Sequence, residues 1–260
     1  MNRLADFPVI ILAVAFLLQF IAAFAGDALR RRNASIDAPE SLEFKTILPA
    51  SLTLLALIVG FAFSMAVGRY DQRKNYEEEE VNAFGTEYVR VDILPAAQAA
   101  HIRELLKQYT DLRIRFYVLR DPVKLERNAV QTSELQSTLW HAVVGPVATQ
   151  PTAPMALVVS GMNDVLNAQG YTQAAFRNRV PRGAWLLMAF VAMACNFLFG
   201  YTEKRVGRAG LLVLPLILAV PFYLVADIDS PRGGLIRVAP QNLISFAHSL
   251  SEPAKKAAAF

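Results

Sequence analysis

Four consecutive glutamates, Glu77, Glu78, Glu79 and Glu80, form the densest run of charge in the 260-residue chain, and Arg69, Arg73 and Lys74 stand just upstream of them. Four carboxylates in successive helical positions point in all directions. In a lone helix they form a solvated face, supported by the basic side chains one turn earlier. In a cyclic oligomer each glutamate repeats around the axis, and a ring of like charge sets the sign of the ion that passes. Glu77, Glu78, Glu79, Glu80, Arg69 and Arg73 are therefore the candidate charges on an ion path. Further upstream, Thr53, Leu57 and Phe61 are spaced i, i+4, i+8 and share one helical face. Such a stripe serves helix packing or lipid contact. It also has the form of a narrow apolar neck that gates by dewetting, with Gly60 permitting close helix approach.

Hydrolytic and transfer chemistry has little to work with. The three histidines, His101, His141 and His248, are far apart, and none lies four residues from another with a glutamate between. The chain lacks a zinc motif, a phosphate-binding glycine loop and a nucleophile elbow. The single cysteine, Cys195, lies in an apolar run and cannot form an intrachain disulfide. No catalytic residue, cofactor or metal ligand is expected. Gln19 and Asn196 are polar groups inside apolar runs and are expected to bond across helices.

The elements that must position these side chains are membrane helices. The chain is 54% hydrophobic and 18% charged, with positive mean hydropathy, whereas a soluble domain carries about a quarter charged residues. Four apolar blocks, 7–25, 46–67, 183–201 and 210–226, each have about the 17–25 residues that span a bilayer. The first block resembles a signal peptide in part, but its apolar run is too long and Arg30-Arg31-Arg32 follows it, so a retained span is expected. The formal charge of +4 comes largely from residues flanking the spans, which points to lipid headgroups rather than nucleic acid. No proline or turn cluster separates the second block from the charged run, so residues 49–92 form one helix that crosses the hydrocarbon and projects into water. Its end, residues 87–94, alternates weakly and is read as helical. Pro215 and Pro221 are expected to bend the fourth block.

Residues 68–182 read as a helical cytosolic segment. Apolar positions recur on one face over 101–119, with Ile102, Leu105, Leu106, Tyr109, Leu112, Phe116 and Leu119. Asp121-Pro122 ends that run. A second helix is expected over 128–144, a connector from Gly145-Pro146 to Pro154, and a third helix over about 155–177. The expected fold is an all-α membrane protein with four transmembrane helices, a helical cytosolic region and a tail at 227–260, arranged as a single domain over 1–260.

The motif order resembles a known family. Arg69-Tyr70-Asp71-x-Arg73 leads into Glu80-x-Asn82-Ala83-x-Gly85-Thr86-x-Tyr88-x-Arg90-x-Asp92. Arg177-Asn178-Arg179-Val180-Pro181 precedes the third block, and Asp227-Ile228-Asp229-Ser230-Pro231 follows the fourth. Together these resemble the bestrophin-like membrane proteins, and more distantly the bestrophin anion channels. The resemblance implies a homo-oligomer, a pentamer, conducting chloride or another small anion, with Thr53, Leu57 and Phe61 at the neck of a pore lined by the second span. The bestrophin channels continue past the last motif into an acidic calcium clasp. Here the chain reads Arg232-Gly233-Gly234, which argues against calcium gating.

The expected function is thus an oligomeric ion channel with itself, lipid and small inorganic ions as partners, and no nucleic acid. It is placed in a bacterial inner membrane with both termini cytosolic, because the large charged middle segment, with fourteen basic residues, outweighs Arg30-Arg31-Arg32. The rival reading is a non-conducting scaffold or sensor whose cytosolic helices recruit a partner. An intramembrane enzyme is opposed by the lack of paired ionisable residues within the spans.

Overall fold

The computed structural model describes residues 7–33, 42–149, 151–202 and 209–257. The described residues are helical almost throughout, with no strand among them. The helices are α1 (Pro8–Asn33), α2 (Leu42–Arg90), α3 (Ala96–Val118), α4 (Pro122–Thr149), α5 (Ala153–Arg177), α6 (Arg182–Thr202), α7 (Gly210–Asp229) and α8 (Gln241–Ala257). A 3-10 turn at Val91–Ile93 follows α2. Four of the described helical stretches are long and apolar enough to cross a membrane, and they carry the four apolar blocks of the sequence. The 49 residues of α2 make a rod of about 73 Å at 1.5 Å per residue, over twice the roughly 30 Å of hydrocarbon. Pro49 lies near its start, and α2 then runs unbroken from the apolar block into the charged run. Residues 87–90 are helical, as expected.

The chain separates into two compact units. The first comprises residues 1–70 and 179–237, the second residues 71–178 and 238–260. In the first unit the core is apolar. Leu55, Ala62 and Ala66 of α2 pack with Met188, Ala192 and Cys195 of α6 and with Phe222, Val225 and Ile228 of α7. Cys195 is buried there as a small apolar group. Helices α1 and α6 approach very closely: a Cβ on Gly26 would overlap the Phe197 carbonyl, and one on Gly200 would overlap the Ala23 carbonyl. Small residues at both positions let the two backbones touch, which substitutes for the missing hydrophobic drive inside lipid. The expected cross-helix bond is present beside this contact, Asn196 Nδ2 donating to Gln19 Oε1 at 3.1 Å.

In the second unit α3, α5 and α8 contact the charged half of α2, and α4 packs on α3 and α5. Local sequence explains where these helices begin. Asp121 accepts hydrogen bonds from the amides of Val123 and Lys124 at 2.8 and 3.0 Å, an N-cap followed by proline in the first turn of α4. These amide bonds hold the Asp121 carboxyl below its ordinary range. Thr152 caps α5 through the Met155 amide at 3.4 Å.

Two expectations are corrected here. Gly145-Pro146 does not begin a connector, because α4 runs on to Thr149. The ring of a proline collides with the Cβ of the residue before it when that residue is helical, and Gly145 has no Cβ. Among the described residues, Pro151 and Thr152 are the non-helical ones between α4 and α5. The tail beyond α7 also carries a helix, α8, that the sequence reading does not identify.

Candidate functional site

Burial along α2 follows a helical register. Leu55, Ala62, Ala66, Arg73, Glu77, Glu80, Phe84, Glu87 and then Val91 are buried, at successive spacings of three, four or seven residues, so they lie on one face. The register begins in apolar residues and continues without a shift into charged ones.

Each buried charge has a distinct environment. Glu80 is fully buried, and its carboxylate is paired with Arg113 of α3, itself 1% exposed. The second contact, Arg113 Nη2 to Glu80 Oε2, is 3.4 Å. Tyr117 and Thr172 also donate to Glu80 Oε2, at 3.2 and 3.3 Å, so α3 and α5 are both tied to α2 at this carboxylate. Burial opposes the charge on Arg113, but the adjacent Glu80 carboxylate outweighs it and holds the guanidinium above its ordinary pKa. Burial raises the pKa of Tyr109 and Tyr117 as well, keeping both phenols neutral; Tyr109 accepts from the Gln136 side-chain amide at 2.8 Å.

Glu77 serves α8. Its Oε1 accepts the Leu243 amide at 3.0 Å and its Oε2 the Asn242 side-chain amide at 2.7 Å. Leu243 lies in the first turn of α8, where backbone amides lack helical partners and the helix dipole favours an anion. Glu77 is thus an N-terminal cap supplied by another helix. Phe246 of α8 packs edge-on against Tyr88.

The other two glutamates differ. Glu78 and Glu79 are exposed, as are Asp71, Asn75, Asn82 and Thr86. Arg69 is half-buried and Arg73 is buried. The neck candidates lie on the same open face: Thr53 is exposed, Leu57 is 54% exposed and Phe61 62%. The Thr53 hydroxyl donates to the Pro49 carbonyl at 3.0 Å. Gly60, Ser64 and Gly68 are exposed between them.

The remaining motif residues hold the fold together. Tyr70 packs against the core of the first unit. Gly85 faces Phe246. Arg90 lies against Gly161 of α5, and Asp92 is paired with Arg103, which also sits 5.1 Å from the centre of the Tyr88 ring. In the last turn of α7, Asp227 accepts the Leu235 and Ile236 amides at 2.7 and 2.9 Å. Asp229 accepts the Val180 amide at 2.9 Å. Ser230 accepts the Gly233 amide at 3.0 Å, so the chain folds back on itself around Pro231. Both oxygens of Asp227 are engaged by amides. Among the described residues, no group of three or more potential metal-ligating side chains comes together.

The motifs that converge on α2 and on the end of α7 are those of one family. The sequence matches the family described as Bestrophin-like domain over residues 9–243. This chain belongs to the bestrophin-like family. Its fold is similar to crystal structures of a bacterial bestrophin homologue from Klebsiella pneumoniae. One, phased on zinc, has a TM-score of 0.64 at 13% identity, covering 91% of this chain and 98% of that one. Another, carrying one substitution, has a TM-score of 0.65 at 14% identity, covering 94% and 98%. A further single-substitution form has a TM-score of 0.63 at 14% identity, covering 90% and 98%. No curated protein matches the sequence. The protein is an all-helical integral membrane protein of bestrophin fold.

Sequence reasoning singles out the acidic run but misses Arg113, Glu87 and α8. Arg113 continues the buried register of α3 set by Ile102, Leu106 and Tyr109, which is the signal that marks it.

Proposed function

We propose that this bestrophin-like protein is one subunit of a homo-oligomeric, pentameric ion channel whose pore is lined by the Thr53–Leu57–Phe61 face of α2. The observation that carries this reading is the chemistry of the face that α2 leaves unpacked. Thr53, Gly60, Ser64 and Gly68 are small or polar and stand exposed among apolar residues of the span. A lipid-facing surface has no use for them, whereas helices gathered round an axis do: small residues admit close approach and polar ones line a path. Leu57 and Phe61 are the only bulky side chains at the neck positions and form the constriction. Both termini are placed in the cytosol of a bacterial inner membrane, lipid surrounds the spans, and the protein is assigned no catalytic role.

The family resemblance makes chloride or another small anion the first candidate. A second reading, for cations, has a specific observation in its favour. The acidic groups left exposed on the same face of α2 are Asp71, Glu78 and Glu79, while Arg73 is buried. Rings of carboxylate attract cations. Glu77 and Glu80 turn inward to α8 and Arg113, so the ring role falls to Glu78 and Glu79.

Planar-bilayer recording under a salt gradient tests both parts. A reversal potential of the anion sign that is unmoved by Glu78→Gln with Glu79→Gln supports the first candidate. One of the cation sign, collapsing toward zero in that variant, supports the second. Bilayers that stay silent for wild type and Phe61→Ala alike, from a protein that runs as a monomer, reject the channel.

A further inference from the structure

Glu87 is the buried acid that the fold does not explain. It is fully buried on α2, yet neither carboxyl oxygen has a hydrogen-bond partner. Its position is tight: a Cβ added to Gly161 of α5 would overlap Glu87 Oε2 and Arg90 Nη1, so the carboxyl occupies the space that the glycine leaves. The charged groups acting on it are Arg90 on its own helix and Asp164 on α5. Asp92, on the following turn, is engaged by Arg103 of α3, and Glu80, two turns earlier, by Arg113. Arg90 makes no ion pair with Glu87 among the described contacts. An ionised carboxylate in such a place is strongly disfavoured without hydrogen bonds, and the group takes up a proton instead.

We propose that Glu87 is a proton-binding site: its protonated form packs α2 against α5 at Gly161, and loss of that proton to solvent expels the carboxylate toward Arg90 and water, loosening α5 from α2. Its consequence for ion flow rests on the pore reading of α2; the site itself does not.

Burial pushes the Glu87 carboxyl up to about 8 from an ordinary 4.5, with Arg90 opposing and Asp164 adding to the shift. The folded-state value is the higher one, so the folded protein holds the extra proton between the two. The stability that this proton confers is complete below about pH 4.5 and is lost as the pH rises through about 8.

The test is thermal unfolding of the purified full-length protein in detergent from about pH 6 to about pH 9, spanning the titration, with bilayer current recorded over the same range. Wild type is expected to lose several degrees of Tm across it, Glu87→Gln to lose far less, and Asp164→Asn, at an exposed position, to shift the fall to lower pH. Parallel loss in wild type and Glu87→Gln would overturn the proposal. If Glu87→Gln does not fold, an unshifted fall in Asp164→Asn overturns it instead. A pH-dependent current in wild type that is flat in Glu87→Gln supports control of the pore. A flat current in wild type beside a titrating Tm overturns that control and leaves the proton site standing. A silent bilayer with the expected Tm series counts against the pore reading alone.

Discussion

The two faces of α2 obey different rules. On the packed face, side chains are fixed by partners distant in sequence: Glu80 by Arg113, Tyr117 and Thr172, Glu77 by Asn242 and the Leu243 amide. On the open face, Thr53, Leu57, Phe61, Glu78 and Glu79 stand exposed in the subunit. Residues one position apart, Glu77 and Glu78, or Glu79 and Glu80, therefore belong to different problems. One set specifies the fold, and the other is left available for the proposed ion path. A run of four glutamates that looks uniform in sequence is two structural acids interleaved with two exposed ones.

That division can be broken most forcefully at the buried pair. Glu80→Leu leaves Arg113 charged and unpaired in the interior, which costs about 3–5 kcal/mol. Chemical denaturation should show the loss, and a change near zero would mean that the pair is not buried as described. Glu77→Gln is milder. It keeps one acceptor oxygen for the Leu243 amide, but sets an NH2 donor against the Asn242 side-chain amide and removes the charge at the helix N-terminus, a loss of about 1–2 kcal/mol. It should appear as faster hydrogen exchange confined to the first turns of α8; uniform protection would contradict the cap. Phe61→Ala and the paired Glu78→Gln, Glu79→Gln variant sit on the open face, so each should change stability by less than about 0.5 kcal/mol. Phe61→Ala should nevertheless raise single-channel conductance severalfold. A large stability loss at Phe61 would show that it is packed within the subunit, and the two faces would then no longer differ.

The parts of the fold that were legible in the sequence are those governed by local rules. The spans are visible because about 20 apolar residues are needed to cross hydrocarbon. The rod of α2 is visible because nothing between Val67 and Glu77 breaks a helix. The Gln19–Asn196 bond was legible because a polar group in lipid must find a partner. Other features depend on distant chain. Arg113 lies 33 residues from Glu80 and Leu243 166 from Glu77, and no local pattern announces either contact. The inward turn of Glu77 and Glu80 was readable only as a register, continued from Ala62 and Ala66, that charged residues ordinarily disqualify. Gly145-Pro146 misleads for the opposite reason. It carries the composition of a turn, while the missing Cβ of Gly145 removes the clash that would have made it one.

The central claim is that the open face of α2 lines a conducting path. The most direct measurement is block of single-channel current by a charged thiol reagent, with Cys195→Ala as background and Leu57→Cys, Phe61→Cys and, as the packed-face control, Ala62→Cys compared. The account predicts block at Leu57 and Phe61 and none at Ala62. Block at Ala62 alone, or open-face cysteines that react with no change in current, would contradict it.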